Sequence, residues 1–179
     1  AMHKDGALDK CREVYIALKS VARVKLDDRD FTPGWKFNEY EMKGVPVRIE
    51  IGPRDIENGV ATCSRRDTCD KLSLPLDGIA ISVQTLLEEI QRNTYNKSLA
   101  FRDAHVKLAH NMEELGQVLD SKCFAKVVWN KDPACEAKFK EKFQATVRVM
   151  LDEKPFQDVC TCCGEKGKDM VVAIVARAY

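Results

Sequence analysis

Cysteine is the residue type in this sequence with the clearest capacity for chemistry. The chain contains eight cysteines, and Cys160, Cys162 and Cys163 share the segment CTCC. The C-x-x-C spacing of Cys160 and Cys163 allows one short turn to present two thiolates to a tetrahedral metal ion. Four other cysteines show no ligand spacing, and we expect them to be small buried or free thiols. These are Cys11, Cys63, Cys69 and Cys123.

The overall charge does not by itself indicate a polyanionic partner. Among 179 residues, 29 are basic and 28 are acidic, which gives a net charge of +1. A nucleic-acid site would therefore be a local patch made by a few placed side chains. The hydrophobic fraction of 45% is sufficient for a packed core.

The distribution of cysteine and apolar residues favours a cytoplasmic protein. The cysteines are irregularly scattered in a chain with an ample core, which favours a reducing compartment. No apolar run approaches the roughly 20 residues of a membrane span, and residues 1–6 lack the apolar stretch of a signal peptide. Because the chain opens in a loop before a helix, we expect Ala1 to mark the boundary of a piece of a longer protein.

The first part of the chain alternates helix and strand patterns. Apolar spacing predicts a helix over Leu8–Ala22, followed by a short strand over Arg23–Asp28. Thr32 and Pro33 predict the start of a helix that ends before Gly44. Alternation predicts a strand from Val45 to Ile51 and, after a turn at residues 57–59, a hairpin partner from Val60 to Ser64.

The second part of the chain repeats this alternation after a long helix. That helix is predicted from Ile79 to about Arg102. Further patterns predict strands at Phe124–Trp129, Thr146–Leu151 and Met170–Ala176, and a helix that begins at Asp132 and Pro133 and runs through Phe143. The economical description is α/β, with a main domain over 1–78, a bridging helix over 79–110, and a small α+β domain over 111–179.

The stretch 27–55, DDRDFTPGWKFNEYEMKGVPVRIEIGPRD, resembles the anticodon-binding domain of prolyl-tRNA synthetases. The segments TPGWKF and MKGVPVRIEIGPRD carry most of the similarity. The resemblance extends more loosely over nearly the whole chain, and the terminal domain with its final tyrosine is similar to the archaeal and eukaryotic form of the enzyme. It implies a mixed sheet flanked by helices, followed by a small domain resembling a zinc knuckle.

Two features depart from the family pattern. The family's anticodon domain begins with a central strand before the first helix, and this chain has no room for that strand before Leu8. The class II catalytic motifs are also absent, so we expect the chain to bind tRNA without activating proline alone. The resemblance implies that ATP, Mg²⁺ and a homodimer interface belong to a catalytic domain elsewhere in the protein.

The resemblance also implies which side chains meet the anticodon. Anticodons of proline tRNAs share two guanines, whose O6 and N7 acceptors suit Arg or Lys and whose N1 and N2 donors suit a carboxylate. The residues we expect near these bases are Arg29, Lys36, Glu39, Lys43, Glu50, Arg54 and Arg65.

Each of these assignments has an ordinary structural alternative. Arg48 and Glu50 also fit a cross-strand ion pair on a solvated strand face. Trp35 could stack on a base together with Phe31, although a tryptophan on an amphipathic helix is more often part of the core. Arg65 and its neighbour Arg66 fit phosphate contacts and solubilising surface charge equally well.

The resemblance implies a four-thiolate zinc knuckle, with which this sequence agrees only in part. Cys135, Cys160 and Cys163 match three ligand positions, whereas the position five residues before Cys135 is Asn130. Cys162 is an alternative fourth ligand, but its side chain should diverge from that of adjacent Cys163. We therefore expect zinc to be absent or weakly held, with packing or a disulfide in its place.

The end of the chain offers a further expectation. The resemblance places Tyr179 at the end of a terminal strand that returns toward the active site, where its ring or carboxylate could contribute. The alternative is an ordered end with no function.

There are two alternatives to the hypothesis that the chain is the tRNA-binding part of a proline–tRNA ligase. One is a stand-alone accessory module with the same anticodon-binding fold. The other is an unrelated enzyme with a cysteine nucleophile, which lacks support because no cysteine lies in a recognisable Cys–His arrangement.

Overall fold

The structure is a computed structural model that describes residues 6–167 and 169–177. The chain divides into two compact units, residues 1–97 and residues 98–179. The boundary falls inside a long helix, and the division at 78 and 110 inferred from sequence stays a prediction. Tyr179, with its expected role, lies outside the described residues.

The first unit is an antiparallel three-stranded sheet with helices. The strands follow the order β1-β2-β3. The elements are α1 (Ala7–Leu18), α2 (Pro33–Met42), β1 (Val47–Glu50), α3 (Pro53–Glu57), β2 (Val60–Arg65), β3 (Lys71–Pro75) and the part of α4 (Ile79–Ala104) up to Lys97.

Local sequence signals account for α2 and the hairpin. Thr32 is the N-cap of α2, Pro33 occupies its first turn, and Gly44 has a φ of 74°, the left-handed conformation that a helix end favours. β1 pairs with β2 so that Ile49 lies opposite Cys63. The predicted helices α1, α2 and α4 and the predicted hairpin are confirmed.

A compact apolar cluster holds the first unit together. The buried side chains come from α1, β2 and α4, and they are Val14, Leu18, Ala61, Ile79 and Val83. The cluster fixes the sheet, and with it the positions of the charged side chains on β1.

The predicted strand over Arg23–Asp28 is wrong, because these residues have irregular backbone in the structure. A strand depends on a neighbour for its ladder hydrogen bonds, and no described residue pairs with this segment. The short helix α3 and the strand β3 were not predicted. Pro53 reads locally as a strand breaker, yet proline also suits the first turn of a helix.

The second unit is a four-stranded sheet with helices packed on its core. The strand order is β4-β5-β7-β6, in which β4 and β5 are parallel and the other pairs are antiparallel. The elements after α4 are β4 (Val106–Leu108), α5 (Met112–Asp120), β5 (Phe124–Trp129), α6 (Pro133–Phe143), β6 (Ala145–Leu151) and β7 (Val171–Arg177).

Helices α5 and α6 supply the core of the second unit. Leu115 and Phe139 are fully buried against Val127 and Val175 of the two central strands. Gly116 on α5 lies so close to Phe143 that an added Cβ would stand 2.9 Å from the ring carbon Cε1. The predictions of β5, α6, β6 and β7 are confirmed, whereas β4 and α5 were not predicted.

Together the two units confirm the predicted α/β fold class. Across residues 6–167 and 169–177, none of the helices combines the length and apolar character needed to cross a bilayer.

Phe139 should be a principal source of stability in the second unit. Its side chain is fully buried, so Phe139→Ala should lower the free energy of unfolding by about 3–5 kcal/mol through lost burial and a cavity. The control is Phe101→Ala, since Phe101 is 65% exposed and should change stability by less than about 0.5 kcal/mol. Urea unfolding followed by circular dichroism measures both, and equal effects of the two variants would contradict this packing.

Candidate nucleic-acid interface and cysteine cluster

Asp27 is the centre of an ion-pair cluster on the first unit. The Arg29 guanidinium forms two bonds to its carboxylate, from Nε to Oδ1 at 2.9 Å and from Nη2 to Oδ2 at 2.7 Å. Arg29 also donates to Glu39 Oε2 at 2.5 Å, and Lys43 pairs with the other Glu39 oxygen. The hydrogen bonds from Arg29 hold the pKa of Asp27 well below its usual range. Lys43, followed by Arg29, lowers the pKa of Glu39.

Lys36 supports this cluster from the inside. Its side chain is buried, and its Nζ donates to the carbonyl oxygen of Asp27 at 3.1 Å and lies 3.6 Å from the Asp27 carboxylate. A buried ammonium is stable only with such partners. In this conformation Lys36 positions the backbone that carries Arg29.

Two aromatic rings form an exposed platform next to the cluster. The rings of Phe31 and Trp35 stack with centroids 4.3 Å apart, and both side chains are about half exposed. The Arg29 guanidinium carbon lies 5.3 Å from each ring centroid. The alternative that places Trp35 in the core is therefore wrong. Exposed aromatic faces beside an arginine are the surface on which unpaired bases stack.

Arg48 organises a second cluster on β1. It donates to Glu41 Oε1 at 2.8 Å, to Glu50 Oε1 at 3.0 Å and to Ser64 Oγ at 3.2 Å. Its guanidinium carbon lies 3.8 Å from the Phe37 ring centroid, which is close cation–π contact. Arg48 and Glu50 do pair, but they lie two residues apart on β1, so the predicted cross-strand pair is wrong. Glu41 is a member that the sequence reasoning missed.

A small cavity of about 30 Å³ lies beside Arg48. Arg65 and Arg66 also line it, together with Tyr40 and Glu41. Arg66 is exposed and donates from Nε to the Glu41 carbonyl oxygen at 3.3 Å. The cavity therefore brings three arginines and a carboxylate to one place.

Arg65 serves mainly to anchor the turn after β2. It forms two bonds to Asp67, at 3.0 and 2.9 Å, and these bonds lower the pKa of the Asp67 carboxyl well below its usual range. Asn93 of α4 donates to the same carboxylate at 2.6 Å, and Lys97 donates to the Asp67 carbonyl oxygen at 2.8 Å. These contacts fix the hairpin turn against the helix.

Arg54 differs from the other arginines of this region. It lies exposed on α3, and its side chain forms no ion pair or hydrogen bond with any of the described residues. The helix that carries it is fixed, because Asp55 accepts from the Gly52 N–H at 2.7 Å and from Thr62 Oγ1 at 3.2 Å. Arg54 is thus a cation on a rigid support.

The cysteines converge in the second unit. The Sγ atoms of Cys135, at the start of α6, and of Cys160 and Cys163, in the turn before β7, lie within 4.8 Å of one another. Burial raises the pKa of the Cys135 thiol. Burial also opposes ionisation of Cys160, but the backbone N–H groups of Cys163, Cys162 and Asn130 outweigh it and lower the pKa of the Cys160 thiol.

The donor set does not fit a closed four-ligand zinc site. Cys162 directs its thiol to the carbonyl oxygen of Cys135 at 3.6 Å. The Asn130 amide nitrogen lies 3.7 Å from Cys163 Sγ, while its oxygen accepts from the Asp132 N–H at 3.1 Å. Three sulfurs therefore converge, and the Cys162 thiol, although it also interacts with the Cys135 side chain, is not a member of that group. The Asn130 amide group presents a donor to Cys163 and not an electron pair.

Comparison with known proteins agrees with this architecture. Residues 1–93 match the family model described as "Anticodon binding domain", which assigns the first unit to the class of anticodon-binding domains. Residues 112–179 match the model "Prolyl-tRNA synthetase, C-terminal". The chain belongs to the prolyl-tRNA synthetase family and corresponds to its C-terminal region.

Individual relatives show how much of the family's length is present. The chain is 44% identical to proline–tRNA ligase 2 of Bacillus cereus over an alignment of 173 residues. The alignment covers 96% of the chain and 36% of that protein. It is 43% identical to the Oceanobacillus iheyensis ligase over 100% of the chain and 37% of the relative. A crystal structure of Cryptosporidium parvum prolyl-tRNA synthetase complexed with L-proline and AMP matches 98% of the chain and 38% of that protein, with 29% identity and a TM-score of 0.88. The chain thus spans just over a third of the length of these relatives.

Asp27 should make the first unit sensitive to acid. Since its pKa is lowered in the folded state, its contribution to stability is complete above the unfolded value of about 3.9 and is lost as pH falls below it. Asp27→Asn should therefore destabilise the chain at neutral pH, and the difference from the unmodified chain should shrink in acid. Thermal unfolding at several pH values measures this, with Asp28→Asn on an exposed neighbour as the control. A difference that is independent of pH would contradict the assignment.

Zinc content tests the missing fourth ligand. The purified chain should contain well under one zinc per molecule, and Asn130→Cys should raise zinc occupancy and melting temperature together, because metal binding is linked to folding. The matched control is Asn130→Ser, which removes the amide without adding a thiolate. Elemental analysis and melting with and without a chelator measure both effects. One zinc per unmodified chain would show that another group completes the site.

Proposed function

We propose that the chain is the tRNA-recognition part of a proline–tRNA ligase and that its first unit binds the anticodon of proline tRNA. The observation that carries this proposal is the exposed platform of Phe31 and Trp35 beside Arg29, on a unit that matches the anticodon-binding family. A stacking surface next to charged groups is what recognition of unpaired bases requires.

The two charged clusters and Arg54 supply the edge contacts of this proposed site. Arginine suits the O6 and N7 acceptors of guanine, and Glu39, Glu41 or Glu50 suits its N1 and N2 donors. The Glu41 side chain that pairs with Arg48 is 61% exposed, and an exposed ion pair contributes only about 0–1 kcal/mol, so a base edge can replace Glu41 at low cost. Arg54, which has no described side-chain partner to lose, is the strongest candidate for a direct contact.

The remaining predicted residues are proposed to act in different ways. Lys36 and Arg65 are held by Asp27 and Asp67, which supports positioning roles for both. Lys43 is half exposed beside Glu39 and is proposed to contact the tRNA from there. Arg66 is exposed at the rim of the cavity, which supports a phosphate contact.

The activity of the whole protein is part of this proposal. A complete ligase would join L-proline to its tRNA using ATP and Mg²⁺. We assign that chemistry, and the homodimer interface, to the part of the relatives' length that lies outside the matched region.

Binding measurements on the isolated chain test the proposal. Proline tRNA should bind selectively, and exchange of each shared anticodon guanine should cost about 1–3 kcal/mol for a lost bidentate contact. Arg54→Ala should cost a similar amount and reduce discrimination at one base, whereas Arg66→Ala should weaken all tRNAs equally.

Arg12→Ala is the matched control, since Arg12 is exposed on α1 and its side chain pairs with Asp9 of the same helix. It should leave affinity unchanged. Fluorescence anisotropy at moderate salt measures all four proteins. Equal affinity of the unmodified chain for proline tRNA and unrelated tRNAs would refute the proposed function.

A further inference from the structure

The three converging cysteines of the second unit form a site with one open side. Cys135 is 2% exposed and Cys160 is 1% exposed, so two sulfurs lie in the core. Cys163 is partly exposed, which provides a path from solvent to the space between the sulfurs. An incoming ion would therefore meet three thiols at the end of a short approach.

The fourth corner of this site is closed by a hydrogen-bond donor. The Asn130 oxygen accepts from the Asp132 N–H at 3.1 Å, and this bond fixes the orientation of the side-chain amide. The NH₂ end must then face Cys163 Sγ, 3.7 Å away. An amide NH₂ donates hydrogen bonds and offers no electron pair to a metal. A tetrahedral ion would consequently need a ligand from solvent.

We propose that Cys135, Cys160 and Cys163 form a three-sulfur binding site for trivalent thiophilic centres, of which arsenic(III) is the probe, rather than a structural zinc site. Such a centre satisfies its valence with three sulfur bonds and needs no ligand at the corner held by Asn130. Three thiolates around it leave no net charge. Three thiolates around Zn²⁺ leave a net negative charge in a largely buried place, which is costly.

The binding reaction balances without an oxidant. Arsenous acid, As(OH)₃, exchanges its three hydroxyl groups for three cysteine sulfurs. Three As–O bonds and three S–H bonds break, three As–S bonds form, and each thiol proton leaves with a hydroxyl group as water. The oxidation state of arsenic and sulfur does not change.

Native mass spectrometry of the full chain with arsenite tests the proposal. The expected adduct has the mass of one arsenic atom less three hydrogens, which distinguishes it from an adduct on two thiols. Cys163→Ser should abolish the three-sulfur adduct, and so should Cys135→Ser. Cys162→Ser should retain it, because the Cys162 sulfur does not belong to the group of three sulfurs that lie within 4.8 Å of one another.

Several results would overturn the proposal. One is an unmodified chain that forms only a two-sulfur adduct, in which two thiol hydrogens are lost and arsenic keeps one hydroxyl group. The others are loss of the three-sulfur adduct in Cys162→Ser and complete protection of the thiols by stoichiometric zinc. Cys163 is the more exposed of the three residues, so Cys163→Ser provides the decisive comparison if Cys135→Ser fails to fold, as a thermal melt would show. The test does not depend on the proposed tRNA binding, which can fail or succeed separately.

Discussion

The bidentate ion pair between Asp27 and Arg29 is the interaction on which the proposed tRNA surface depends. The segment 23–28 has no strand partner among the described residues, so its backbone lacks the ladder that would otherwise hold it. Side chains take over this role. Arg29 joins Asp27 to Glu39 of α2, and Lys36 joins the Asp27 carbonyl to the same helix. The aromatic platform of Phe31 and Trp35 is placed by these bonds.

Arg65, Arg48 and Arg54 of the first unit differ in the number of their side-chain partners and in how far those ion pairs are shielded from solvent. Arg65 and Asp67 lie largely out of solvent, with a side-chain exposure of 14% for the arginine, so separating them would leave charges with little hydration. Arg48 has three partners, but Glu41 among them is well exposed. Arg54 has none that the structure describes. The ease with which each arginine can turn to a new partner therefore increases from Arg65 to Arg48 to Arg54.

Sequence reasoning succeeded where a structure depends on neighbouring residues. The pair Asp132 and Pro133 starts α6 where predicted because the cap and the first turn are local, and the residues of β5 are apolar except for Lys126. The strand over 23–28 was mispredicted because pairing is not a local property. The same limit applies to the sites. The segment 27–50 folds back on itself, so charged residues within it meet. The anchoring of Arg65 by Asp67, in contrast, also involves Asn93, which contacts Asp67 from 26 positions away. The amide orientation of Asn130 is set by Asp132 and cannot be deduced from composition or spacing.

The contact between Gly116 and Phe143 has a consequence for how this family region can change over time. Glycine costs a helix about 1 kcal/mol relative to alanine, so drift at this position of α5 should favour alanine. The ring of Phe143 opposes that drift, since an added Cβ would stand 2.9 Å from it. Alanine at 116 becomes acceptable once the residue at 143 is smaller. Inherited substitutions at these two positions should therefore occur as a linked pair, with the change at 143 preceding the change at 116.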